Sequence, residues 1–155
     1  MSEPYGLPSI QIVPGPPTEW ARRHPSFFFA SGVPSSLELL EQLVEGARVL
    51  SSMAVEVVSL GEWQIVASTD DWFNSAKHQE TEAPHFEYPK AFPELGQNCT
   101  RPEFVVAAFA QAVVFRGPRG VCVVKGTIEP ADPMLVKLST SHAWQRAIAF
   151  RGLHA

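Results

Sequence analysis

Proline interrupts this chain often enough to decide where regular structure can form. Fourteen of the 155 residues are proline, and each ends a helix before it or removes a ladder donor from a strand. Pro14-Gly15-Pro16-Pro17 divides a short apolar strand candidate, Ile10 to Val13, from a helical turn capped by Thr18 and stopped by Pro25. Phe27-Phe28-Phe29 is too short for a helix and reads as a buried extended piece. The longest proline-free interval begins after Pro34. It opens with Ser35 and Ser36 as caps for an amphipathic helix, Leu37 to Leu50. Leu37, Leu40, Val44 and Ala47 form one stripe with Leu43 and Leu50 beside it, and Glu38, Glu41, Glu45 and Arg48 lie largely elsewhere. Val55, Val57 and Leu60, then Ile65 and Val66, predict two short antiparallel strands joined around Gly61.

From Asp70 to Thr100 the chain is polar, carries Pro84, Pro89 and Pro93, and shows no periodicity, which predicts a long irregular loop of the kind that often serves as a lid or binding segment. Pro102 suits the first position of a helix carrying Phe104, Val105, Ala108 and Phe109. Val113 to Phe115, the turn Gly117-Pro118-Arg119-Gly120 and Val121 to Ile128 predict a β-hairpin. Leu135, Lys137 and their neighbours read as a further strand after Asp132-Pro133. A last helix is predicted from Ser141 through Trp144, Ile148 and Phe150 to Gly152. The sum is one α+β domain over residues 1–155, with a mixed or antiparallel sheet covered on one face by helices.

Composition narrows the function classes. Apolar residues make up 45% of the chain, enough to close a core. Charged residues are 18% and the net charge is −4, so no basic face for direct nucleic-acid binding is expected. No apolar run approaches the ~20 residues of a membrane span. Cys99 and Cys122 fit two reduced thiols in a cytoplasmic protein rather than a disulfide framework.

The segment from Trp20 to Trp72 combines Arg22-Arg23-His24-Pro25, an apolar strip, an acidic helix and a strand pair ending in Asp70-Asp71. In that order it resembles the start of the ATPase domain of DNA gyrase B and its relatives, the GHKL superfamily. The resemblance implies a Bergerat-type sandwich and a site for ATP and Mg2+. It places a water-activating Glu and, one turn later, a metal-binding Asn on one helical face, because both must meet the same phosphate and ion. Glu38 matches the base, and Gln42 stands where the Asn is expected. Gln is one methylene longer and moves the amide oxygen away from a strictly octahedral ion. A second register puts Leu43 and Ala47 at those positions and leaves no catalytic group.

Asp70 matches the aspartate that accepts a hydrogen bond from the adenine amino group. The family continues with glycines, which let the backbone approach the base; this chain continues Asp71-Trp72-Phe73, and two aromatics are expected to fill an adenine cleft. The phosphate-binding run corresponds to Gln97-Asn98-Cys99-Thr100-Arg101-Pro102. It has no glycine beyond Gly96 and loses an amide at Pro102. His78 and His85, with Glu80, Glu82 and Glu87, fit no strong metal template, so no metal site is expected. His24, His142 and His154 have no Ser or Cys in a nucleophile context.

These features lead to the expectation of a degenerate, stand-alone gyrase-B-type domain without ATP hydrolysis and without a bound cofactor. It would act on a protein partner as an interaction or regulatory module, with homo-oligomerisation open. The alternatives are a nucleotide-binding protein using Glu38, Gln42 and Asp70 in a modified site, or an unrelated α+β interaction protein.

Overall fold

A computed structural model describes residues 16–74, 82–96 and 99–154. Among these residues five α-helices and five strands follow in the order α1 (Pro17–Arg22), α2 (Ser36–Leu50), β1 (Val55–Leu60), β2 (Trp63–Ser68), α3 (Glu82–Glu87), α4 (Pro102–Phe109), β3 (Ala110–Gly117), β4 (Gly120–Lys125), α5 (Pro133–Thr140) and β5 (Arg146–Leu153). The strands form one antiparallel sheet in the order β1-β2-β5-β3-β4. The last strand in sequence therefore lies at the centre, between two hairpins. The strand candidate Ile10 to Val13 falls outside the described residues.

Side-chain alternation on the central strands makes two cores. Val66, Val113, Phe115, Ile148 and Phe150 point to one face and pack with residues of α1, α2 and α4. Ile65, Ala67, Ala112, Val114, Ala147 and Ala149 point to the other and pack with Met134 and Leu138 of α5, and with Trp144. Helices on a single face were expected; the second face is covered too. Four of its seven buried strand residues, Trp63 included, are alanine, which leaves room for a two-turn helix to approach closely.

Both hairpins form where expected, the first turning through Gly61 at φ +61°. Pro102 begins α4, and Pro25 follows the end of α1. Ser35 caps α2 by accepting from the Glu38 backbone N–H. Its buried stripe is Leu39, Leu43, Gly46 and Ala47 rather than the one through Leu37, which is 65% exposed. Gly46 rotates the stripe: Pro102 and Phe92 press so closely on it that a methyl group there would lie 2.7 Å from the proline Cγ. A hydrophobicity pattern does not register a glycine as a contact face.

Other expectations are corrected. Pro25–Phe27 is a 3-10 turn that throws Phe27 outward, 70% exposed, while Phe29 is buried. Thr18 is not a cap, because α1 starts at Pro17 without a side-chain cap. The predicted strand around Leu135 and Lys137 is helix α5, with Asp132 accepting from the Met134 N–H and Pro133 at the first helical position. The predicted C-terminal helix through Ile148 and Phe150 is strand β5; buried on both faces, it shows no polar alternation.

The segment after Asp70 is not one irregular loop. It holds a 3-10 turn at Trp72–Asn74, helix α3, and a bridge between Ala91 and Thr100. Each piece is too short to show a period, and buried Trp72, Phe73, Phe86 and Phe92 anchor them.

Candidate functional site

Glu38, Gln42 and Asp70 do not meet. Glu38 accepts hydrogen bonds from the Ala30 N–H at 2.8 Å and the Ser31 hydroxyl at 2.5 Å, and so fastens the loop before α2. Gln42 donates to the Phe28 carbonyl at 2.8 Å. Asp70 lies by the other end of the helix. It accepts from the Ser51 hydroxyl, from the Ser52 N–H and hydroxyl at 2.8 and 2.9 Å, and from the Ser68 hydroxyl at 3.0 Å. Thirteen residues of rise separate Glu38 from Ser51, about 20 Å at 1.5 Å each. Partial burial raises the Asp70 pKa, but the donors on Ser51, Ser52 and Ser68 outweigh it and hold the carboxyl below its ordinary value.

Bulky side chains occupy the space beside α2 and the end of β2. Trp72 and Phe73 are fully buried in the cluster that contains Leu39, Leu43 and Ala47. They offer no exposed contact patch. A charged network that the sequence reading missed surrounds them. Arg146 is buried, with Nε 2.8 Å and Nη2 3.0 Å from the two Asp71 oxygens, a bidentate pair. Its guanidinium lies 4.1 Å from the centre of the Phe73 ring. Arg101, also buried, binds Glu103 at 2.8 Å and lies 5.7 Å from the same ring. The Trp72 indole N–H donates to the other Glu103 oxygen at 3.3 Å. Phe73 thus has two guanidinium groups over its ring, a contact favoured by the ring quadrupole. The available signal was an Asp directly before two aromatics and an Arg at the start of an otherwise apolar run, Arg146 to Phe150. Neither has a recognised spacing, since the partners are 75 residues apart.

The position read as a phosphate-binding run contributes to this packing instead. The Arg101 N–H donates to the Lys90 carbonyl and the Phe92 N–H to the Cys99 carbonyl, each at 2.8 Å. Gln97 and Asn98 lie outside the described residues, as do His78 and Glu80. His85 is buried, its ring 4.7 Å from that of Phe73. Among the described residues no group of three His, Cys, Asp or Glu side chains is placed to hold a metal ion.

Open space lies elsewhere. A groove of about 800 Å³ runs along β4, between that strand and the Pro16–Arg22 segment, with Phe86, Glu87 and Tyr88 at its side. Among the described residues Arg22, Arg119 and Lys125 are its cations and Glu87 its one carboxylate. A bulge shapes the wall: Val123 pairs with Val114 and Lys125 with Val113, so Val124 is the extra residue. The Lys125 Nζ then reaches the C-terminal end of α4 and donates to the Ala107 and Ala108 carbonyls at 3.0 and 3.3 Å. Arg22 donates to the Ala108 carbonyl as well, at 3.3 Å. Burial first, and the Arg22 charge second, lower the Lys125 pKa to about 8. Desolvation, then Lys125 and Arg22, hold His154 below its usual value, which puts all three groups in one electrostatic neighbourhood.

No family model, curated protein or solved structure matches the chain. No helix among the described residues is long and apolar enough to cross a membrane.

Proposed function

We propose that this chain is a gyrase-B-type domain that has lost ATP hydrolysis and serves as a protein-binding module. One observation carries the reading: Trp72 and Phe73 are fully buried against the α2 face, in the place that the resemblance gives to the purine. The groups expected to handle ATP have other duties. Glu38 and Gln42 tie down the loop before α2, and Asp70 ties Ser51 and Ser52 to the end of β2. The element order supports the framework half of the proposal, since an Arg-rich turn into proline, a helix, a strand pair followed by Asp70, two helices and a second strand pair follow one another. Isothermal titration calorimetry with a non-hydrolysable ATP analogue and Mg2+ tests it. No heat of binding is expected up to about 1 mM nucleotide, whereas a magnesium-dependent Kd in the micromolar range refutes the proposal.

A further inference from the structure

A sheet edge exposes unpaired N–H and C=O groups, and proteins usually protect it with charges, bulges or a covering element. Among the described residues β4 pairs with β3 alone, so its outer side is an edge. It has a bulge, but the lysine that would ordinarily guard such an edge is turned inward onto the α4 carbonyls. Val123 is 48% exposed on it. The apolar groove runs alongside, and among the described residues its charge is opposite to that of the whole chain: Arg22, Arg119 and Lys125 face one Glu87, in a protein of net charge −4. None of those three cations forms an ion pair among the described residues.

We propose that β4 is a docking edge for an extended acidic segment of a partner protein. The segment adds as a sixth strand, with apolar side chains in the groove and carboxylates beside Arg22, Arg119 and Lys125. Backbone hydrogen bonds give such strand addition its affinity, and alternate side chains give it specificity. Two other occupants fit the charges less well. Residues 1–15 contain one carboxylate, Glu3. A second copy pairing antiparallel about the middle of β4 would bring Arg119 of one chain near Lys125 of the other, a like-charge contact that destabilises paired strands. The inference rests on the binding-module reading for the existence of a partner, and on the groove alone for its chemistry.

Fluorescence anisotropy on the full chain tests it, with a labelled heptapeptide that alternates valine with glutamate. Saturable binding is expected, weakened about tenfold or more when lysine replaces glutamate or when alternate peptide amides are N-methylated. Arg119→Glu alters a turn residue with no side-chain hydrogen bond and is expected to weaken binding about fivefold. At pH 8 binding takes up a proton, because a carboxylate beside Lys125, within the field of Arg22 and His154, favours the ammonium form; calorimetry in buffers of different ionisation enthalpy reads this. Equal affinity for the lysine peptide, indifference to N-methylation, or no binding at about 1 mM overturns the proposal. Sedimentation as a dimer that the peptide fails to dissociate assigns the edge to a second copy and overturns it too. Nucleotide binding in the calorimetric test would leave a positive peptide result standing, and a negative peptide result would leave the loss of ATP binding standing.

Discussion

Phe73→Ala tests the claim that the cleft beside α2 is filled and locked. Phe73 is fully buried, with the Arg146 guanidinium 4.1 Å and the Arg101 guanidinium 5.7 Å from its ring centre. The rings of Trp72, His85 and Phe86 lie 5.9, 4.7 and 5.7 Å away. Truncating a core phenylalanine costs about 3–5 kcal/mol in transfer and cavity terms. Loss of a buried ring from beneath a guanidinium adds up to about 2 kcal/mol. The terms overlap, so the expected loss is about 4–6 kcal/mol, a large part of the 5–15 kcal/mol typical of a domain. At about 2–4 °C per kcal/mol for this size, Tm falls by about 10–20 °C. Phe73→Leu keeps most of the volume but no ring, and is expected to lose about 1–3 kcal/mol. Urea denaturation followed by tryptophan fluorescence reads both, since Trp72 is in contact. A loss under about 1.5 kcal/mol for the alanine variant would refute the buried-plug reasoning. Equal losses for alanine and leucine would mean that the retained volume contributes nothing.

Three further outcomes are expected. Gly46→Ala gains about 1 kcal/mol of helix propensity but drives a methyl group to 2.7 Å from the rigid Pro102 ring, so overpacking of about 1–3 kcal/mol prevails and denaturation midpoints fall. Asp70→Asn removes a carboxylate that is held below its ordinary pKa, whose stabilisation exists above the unfolded-state value and is lost as pH falls through the folded one; the variant is less stable at neutral pH, and its stability falls less on acidification. Lys125 gives a slope of the same sign in an alkaline window: with a folded pKa of about 8 against 10.5 it releases its proton more readily when folded, so its part of the stability rises with pH between about 8 and 10.5. Lys125→Met is expected to abolish that rise in a pH series of urea midpoints.

Helix α2, both hairpins and the start of α4 were legible because their signals are local. Ser35 before Glu38 marks the start of α2, Gly61 and the Gly117–Gly120 turn mark the hairpins, and Pro102 marks α4. The end of the chain was misread because a strand buried on both faces and a helix give the same apolar run. Trp144 and Ile148, four residues apart, suggested a helical face, yet they pack on opposite sides of the sheet. Asp132-Pro133 is a cap followed by a first helical residue, a signal that the alternation of Leu135 and Lys137 outweighed. Beside α2, the burial of Trp72 and Phe73 was readable from two large aromatics in succession. The clasp around them was not, because Asp71–Arg146 is a contact of long sequence separation with no motif.

That clasp places charged groups in the interior of the fold. A buried pair is weak evidence for stability, because desolvation offsets much of the attraction, but removing one partner strands the other. Arg146 begins the central strand and Asp71 leads the segment that crosses back over α2, so their bidentate bond fixes that segment to the middle of the sheet. Glu103 likewise joins the first turn of α4 to Trp72. Together they tie Trp72 and Phe73 to β5 and α4, whose Pro102 packs against Gly46. The C-terminal carbonyls of the same helix then receive Arg22 and Lys125 at the groove along β4. A change that loosens the clasp, such as Glu103→Gln, is therefore expected to weaken peptide binding at β4 without touching the groove. Glu87→Gln, which removes a carboxylate from the groove wall, is expected to strengthen it. If Glu103→Gln lowers the urea midpoint but leaves the peptide affinity unchanged, the two regions are independent and this link through α4 is wrong.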